Sequence, residues 1–214
     1  PSSTPGGAAA CAAPLSEDRI LACLAGYFPQ THPSLLLGRG DDCAVLTVSP
    51  GRLALSTDMF WEDAHFRASY FTPEEAGGKA LASAVSDLAA AGAVPLAFSL
   101  GLMLPSWLGE PALRAVLAGM ADTAGACGIF LSGGDLSRGD KLGFSVTVWG
   151  EIPGLNEACP RRAGPGSAEE GGMTAPRQEP TPLRRGAARP GDYIFLVGEA
   201  GLALGLVARA RVDP

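Results

Sequence analysis

Two long segments of helical periodicity flank one strand-like apolar run, and no other feature of this 214-residue sequence restricts the fold as tightly. The first, TPEEAGGKALASAVSDLAAAGA (72–93), has Pro and Glu at its start, an apolar stripe at helical spacing and glycine at its end, and predicts a helix carrying Asp87. VPLAFSLGLML (94–104) predicts a strand, and SWLGEPALRAVLAGMADTAGACG (106–128) a second long helix whose core begins near Pro111. IFLSGGDLSRGD then reads as a short strand running into a glycine-rich turn, and KLGFSVTVWGEI (141–152) alternates as a further strand. Upstream, SEDRILACLAGYF (16–28) opens on a serine cap with acidic residues in its first turn and spaces Ile20, Leu21, Leu24 and Phe28 as one helical face. CAVLTV and RLALSTD (43–48 and 52–58), joined by SPG, suggest a hairpin whose second strand ends at Asp58. Strands followed by helices, with a hairpin mixed in, imply an α/β or α+β layered domain over residues 16–152: a mixed sheet packed with helices.

The composition breaks on either side of that domain. Residues 1–15 are small and of low complexity, and are expected to form a disordered tail. Residues 153–192 are dense in Pro, Gly, Glu and Arg with almost no bulky apolar side chain, so 153–182 is expected to be a linker or disordered insertion. YIFLVGEAGLALGLVARARV (193–212) reads as a strand, a glycine turn and a helix, too little to bury a core. Residues 183–214 are therefore expected to begin a second domain that is incomplete here.

Charge narrows the partners. The net charge is −6, and the 16 basic residues form no stripe, which argues against nucleic acid held through its phosphates. Five dispersed cysteines, without a C-x-x-C pair, indicate neither a disulfide framework nor a zinc ribbon, and suit a reducing, cytoplasmic setting. No stretch approaches the roughly 20 apolar residues that span a bilayer, so no membrane partner is expected. With two histidines only, any metal would be a hard cation on oxygen ligands.

The acidic residues supply such oxygens. Asp41 and Asp42 precede a strand in GRGDDCAVL, Asp58 ends one, Asp135 follows another in SGGD, and Asp87 lies late in its helix. Carboxylates at strand ends can converge at one sheet edge, where magnesium takes a few of them together with water and phosphate oxygens. The glycines of SGGD (132–135) let backbone N–H groups approach a phosphate closely, with Ser137 and Arg138 nearby. Taken alone, GRGDD and SGGD are each more commonly explained as plain turns, with solvated or turn-capping aspartates. No Walker-type G-x-x-x-x-G-K-[ST] is present.

Taken in order, GRGDDCAVL, LALSTDMFWEDAHF, ASAVSDLAAAGAVPLAFSLGLMLP, LSGGDLSRGDKLGFSVTVWGEI and RRGAARPGDYIFLVG resemble the successive motifs of the thiamine-monophosphate kinase family. That family belongs to the superfamily of aminoimidazole ribonucleotide synthetase and selenophosphate synthetase. The STD followed seven residues after its aspartate by HF favours the thiamine-phosphate branch. The resemblance implies an N-terminal α/β domain whose strands pair with those of a second subunit, followed by a larger α/β domain. It implies magnesium held by Asp42, Ser56, Thr57, Asp58, Asp87 and Asp135, ATP contacted by Gly134, Asp135 and Arg185, and thiamine monophosphate contacted by His65. Asp41 resembles the family's first aspartate, with a direct ligand role left open. The implied reaction moves the γ-phosphoryl of ATP onto thiamine monophosphate, giving thiamine diphosphate and ADP. Two alternatives stay open: the same fold with another acceptor, or a homologue that only binds nucleotide. GEAGLALGL (198–206) departs from the family by lacking the aspartate expected in its turn, and residues 1–214 alone are expected to be poorly active.

Overall fold

The structure, a computed structural model, describes residues 15–39, 43–48, 51–152, 183, 186 and 188–193. The expected tail, the 153–182 linker, the strand and helix after 193, and the site candidates Asp41, Asp42 and Arg185 lie outside the described residues.

Three helices form where capping chemistry and apolar spacing agree. Helix α1 (Glu17–Tyr27) starts at Ser16, whose side chain accepts from the backbone N–H of Arg19, and buries Ile20, Cys23 and Leu24. Helix α2 (Pro73–Ala91) opens on a capping box, in which Thr72 Oγ1 accepts from Glu75 N–H at 3.2 Å and Glu75 Oε2 accepts from Thr72 N–H at 2.8 Å. That N–H holds the exposed Glu75 carboxyl below its ordinary range. Replacing Thr72 by Ala removes the side-chain half of the box, leaving the backbone N–H of residue 72 to Glu75, and is expected to cost about 1 kcal/mol in a urea titration. Helix α3 (Glu110–Cys127) carries proline in its first turn, and both α2 and α3 stop at glycines in the left-handed region, Gly92 (φ 73°) and Gly128 (φ 67°).

Six strands complete the described fold: β1 (Leu35–Leu37), β2 (Val45–Leu46), β3 (Arg52–Trp61), β4 (Val94–Pro105), β5 (Phe130–Gly139) and β6 (Gly143–Ile152). The main sheet has the order β3-β6-β4-β5, antiparallel except for the parallel β4–β5 pair, and β1 pairs separately with β2. This mixed sheet with helices on one side is the layered α/β fold anticipated from the sequence.

Three local expectations are corrected by the pairing. Residues 43–48 and 52–58 do not form a hairpin: β2 pairs with β1, and β3 pairs along its whole length with β6. Strand β3 continues past Asp58 to Trp61, because Met59, Phe60 and Trp61 find partners in Ser145, Phe144 and Gly143. SGGD is not a turn but the middle of β5, where Gly133, Gly134 and Asp135 lie beside Ser99, Leu100 and Gly101 of β4. Glycine-rich sequence reads as a turn, yet parallel pairing with the long β4 overrides the local propensity.

The core lies between the sheet and the helices. Phe98, Phe144, Val146 and Val148 from the sheet meet Leu81, Leu88, Leu113, Val116, Leu117 and Met120 from the helices, all essentially without solvent contact. Helices α2 and α3 approach through glycines: a Cβ placed on Gly77 would lie 2.1 Å from the Val116 carbonyl oxygen, and one on Gly119 2.0 Å from that of Glu74. Helix α1 is tied to α3 by the Arg19 guanidinium, whose Nε and Nη2 each donate to Glu110 at 2.6 Å. Leu183 N–H donates to the Ala91 carbonyl at the end of α2, and the Leu183 side chain packs against Gly92.

Candidate functional site

The two edges of the sheet divide the candidate residues. Residues of β3 alternate between faces, so Ser56 and Asp58 look toward the helices and Thr57 toward the opposite, helix-free face. Ser56 Oγ donates to Asp87 Oδ2 at 2.7 Å, which joins β3 to the last turns of α2. A carboxylate near a helix C-terminus opposes the helix dipole, and α2 has no basic residue in its last turn. The placement is unfavourable by local rules, the signature of a group kept for another purpose. Asp58 folds back so that its Oδ1 accepts from the Met59 N–H at 3.0 Å. Thr57 instead shares a 2.9 Å hydrogen bond with Thr147 in the middle of the helix-free face.

Asp135 belongs to the other edge. In the register, Asp58, Val146, Leu100 and Gly134 form one row across the sheet, and Met59, Ser145, Gly101 and Asp135 form the next. Three strand spacings separate the Asp58 and Asp135 edges, about 14 Å at ~4.8 Å per strand. Among the described residues no three His, Cys, Asp or Glu side chains gather at one point. Convergence of all the carboxylates at one edge is thus not what these residues display; they supply two separate corners.

At the β5 corner a cavity of about 320 Å³ opens between α1, the flanking residues Gly38, Arg39, Cys43 and Ala44, and the strand, where Glu17, Gly133, Gly134 and Asp135 also line it. It brings the start of GRGDD beside SGGD, two motifs almost a hundred residues apart. The glycines of β5 differ in what they do. A Cβ on Gly134 would lie 1.9 Å from the Leu100 carbonyl oxygen, so the β4–β5 pairing requires glycine there, whereas a Cβ on Gly133 would meet only the Ala44 Cβ, at 3.9 Å. Arg39 Nη2 donates to the Phe28 carbonyl, Nη1 is buried without a partner, and burial lowers the guanidinium pKa from its ordinary value. Two carboxylates against one guanidinium make this wall net negative, which suits a polyanion that brings its own cation. Gly133 was expected here as one of the SGGD glycines, whereas Arg39 was not among the site residues expected from the sequence; long-range packing brings it to this cavity.

His65 sits in the exposed turn after β3. Its Nδ1 accepts from the Trp61 N–H at 3.1 Å, and its own backbone N–H donates to the Trp61 carbonyl at 2.8 Å. With Nδ1 accepting, the neutral ring carries its proton on Nε2, which leaves an N–H donor on an exposed ring. Lys141 and Asp63 close the same turn at 2.6 Å, and Lys141 holds the Asp63 carboxyl below its ordinary range.

The helix-free face carries exposed apolar side chains. Leu53 is 53% exposed, Leu55 65% and Met59 53%, all on β3, and Val94 of β4 lies in the row of Leu53 and Glu151. Beside Leu55, Trp149 buries its indole N–H without an acceptor. Monomeric surfaces rarely leave such a face bare. No described helix is long and apolar enough to cross a membrane.

The comparisons with known proteins follow the same elements. Residues 40–152 match the family model described as AIR synthase related protein, N-terminal domain. Across 172 residues the chain is 35% identical to the thiamine-monophosphate kinase of Bacillus subtilis, which covers 79% of this chain and 45% of that protein. Among solved structures it resembles the thiamine-monophosphate kinase of Stenotrophomonas maltophilia K279a (35% identity, TM-score 0.52, covering 63% of this chain and 40% of that one). It also resembles the hydrogenase maturation protein HypE in complex with ATP (31% identity, TM-score 0.51, covering 61% and 38%). The chain spans about half the length of the curated relatives it matches. With the matched region holding the whole four-stranded sheet and helices α2 and α3, the chain belongs to the AIR synthase related protein family through that family's N-terminal domain.

Proposed function

We propose that this protein transfers the γ-phosphoryl group of ATP to thiamine monophosphate, forming thiamine diphosphate and ADP. The observation that carries the reading is 35% identity over 172 residues, 79% of this chain, to a thiamine-monophosphate kinase. The ATP complex of HypE supports ATP as the donor.

The chemistry asks little of acid–base groups, because the attacking oxygen already belongs to an anionic phosphate. It asks for close approach of two polyanions and for positive charge as the phosphoryl group moves. Ser56, Asp58 and Asp87 are hard oxygen donors, few in number, and the Ser56–Asp87 hydrogen bond already brings two of those oxygens together. That set fits magnesium, which keeps several waters and takes phosphate oxygens rather than an all-protein cage. By the family resemblance Asp42, Thr57 and Asp135 are proposed as further magnesium ligands; Thr57 and Asp135 lie apart from the Ser56–Asp58–Asp87 corner, so the proposed ligands serve more than one ion. A magnesium ion held there by Ser56, Asp58 and Asp87 would supply positive charge for the phosphates. Gly134 and Asp135 meet the nucleotide at the β5 cavity, Arg185 is a further ATP contact by the family resemblance, and His65 offers Nε2–H to the phosphate of thiamine monophosphate.

The assignment extends to organisation. Residues 16–152 form the ATP- and magnesium-binding domain, 153–182 a linker, and 183–214 the start of a second domain. We place the protein in the cytoplasm as a homodimer joined through the helix-free face, whose exposed Leu53, Leu55 and Met59 call for cover. Leu55→Asp puts a charge in the middle of that face; sedimentation is expected to find twice the chain mass for the parent protein and the single mass for the variant. Equal masses for the two would remove the interface.

Because HypE superposes about as well as the kinase, the fold does not choose the acceptor. A panel of acceptors does so: ADP release stimulated by thiamine monophosphate supports the reading, and turnover with another acceptor alone selects a different branch of the superfamily.

A further inference from the structure

The end of α2 is completed by a residue from far along the chain. A helix leaves the carbonyls of its last four residues without partners inside the helix. In α2 the Gly92 N–H donates to the Ala89 carbonyl at 3.0 Å and the Ala93 N–H to that of Leu88 at 2.9 Å, as a left-handed glycine cap arranges them. The Ala91 carbonyl instead accepts from the N–H of Leu183, at 3.0 Å. A Cβ placed on Gly92 would lie 3.4 Å from Leu183 Cγ, so the leucine packs on the side of the cap that glycine leaves bare. Ala91 follows Asp87 by one helical turn, about 6 Å along the axis. The contact therefore lies beside the corner where Asp87 accepts from Ser56.

Both ends of the 153–182 segment meet the same few residues. Strand β6 ends at Ile152, and its Glu151 pairs with Val94, just after the α2 cap; the chain is met again at Leu183, on Ala91 and Gly92. The entropy of closing a loop changes only slowly with its length, so the segment does not dictate where the chain resumes. The Leu183 contact does. Arg184 and Arg185 come next in the sequence, and two residues of extended chain span at most about 7 Å. Helix α2 supplies no basic residue of its own against the negative end of its dipole and the Asp87 carboxylate.

We propose that Leu183 is a positioning residue: it docks the chain that follows the 153–182 segment on the C-terminal cap of α2, and so sets where the second domain, opening with two arginines, meets the Asp87 corner. The docking stands on the contacts alone; its effect on turnover rests also on the phosphoryl-transfer reading above.

The test compares the complete gene product with Leu183→Asp, Leu183→Met and a variant lacking residues 160–171, by amide hydrogen exchange and by ADP formation with thiamine monophosphate. Leu183 is 66% exposed, so all three variants are expected to melt within a few degrees of the parent. In the parent, Leu183→Met and the shortened chain, the residue 183 amide is expected to exchange at least about tenfold more slowly than in open chain, with kcat within about twofold of the parent. Leu183→Asp sets a carboxylate against the negative end of α2 and is expected to lose that protection together with at least about tenfold in kcat, at an unchanged melting temperature. An unprotected Leu183 amide in the parent overturns the docking whatever the activity. A Leu183→Asp that keeps kcat within twofold, or a shortened chain that loses tenfold, overturns the positioning role. A parent that shows the protection and forms no ADP overturns the phosphoryl-transfer reading and leaves the docking standing.

Discussion

Asp87→Asn is expected to lower kcat for thiamine monophosphate phosphorylation by about 10²- to 10³-fold in the complete gene product, the scale on which single charge-stabilising groups act. The substitution is nearly isosteric, and the asparagine carbonyl can still accept the Ser56 hydroxyl now 2.7 Å from the carboxylate, so the β3–α2 contact survives. Stability is expected to hold or rise slightly, because a charge opposed to the α2 dipole is removed. That combination, an unchanged or higher melting temperature with activity lost, separates a group kept for chemistry from one kept for structure. Retained activity would remove Asp87 from the metal set and with it the β3 corner of the proposed site.

Gly119→Ala is expected to cost about 3 kcal/mol of stability in a urea titration, because the helices cannot part without opening the core. The added carbon would lie 2.0 Å from the Glu74 carbonyl oxygen, a backbone atom in the first turn of α2 that cannot rotate away. Leu113, Val116, Leu117 and Met120 on the same helix are fully buried, so a shift of α3 propagates through the packed layer. A methyl group added at Gly125 of the same helix would meet nothing within 4 Å, and Gly125→Ala is the internal control, expected to stabilise slightly through helix propensity. A loss below about 1 kcal/mol for Gly119→Ala would mean that the α2–α3 contact yields more easily than close packing allows.

The sequence made the helices legible because their determinants are local. Ser16, the Thr72–Glu75 box, the prolines of α2 and α3, and Gly92 and Gly128 each act within a few residues of the helix end they define. Strand partners were not legible, since β3 finds β6 across some 90 residues and nothing in RLALSTD specifies that pairing. Turn chemistry at SPG argued for a hairpin with 43–48, and the longer register with β6 outweighed it. The same limit governed the site. Motif order pointed to the relevant residues, but alternation along β3 turns Thr57 away from Ser56 and Asp58, and the sheet order separates Asp58 from Asp135. Gly133 and Gly134 are indistinguishable as letters; only the approach of the Leu100 carbonyl to one and the emptiness beside the other give them different roles.

The central claim is the identity of the acceptor, and phosphorus NMR on the complete gene product reads it directly. With ATP, magnesium and thiamine monophosphate, the account predicts loss of the ATP γ-phosphate signal matched by the two coupled resonances of thiamine diphosphate, in equal amount with ADP and abolished by EDTA. Consumption of ATP without those resonances, or their appearance in the presence of EDTA, would contradict it.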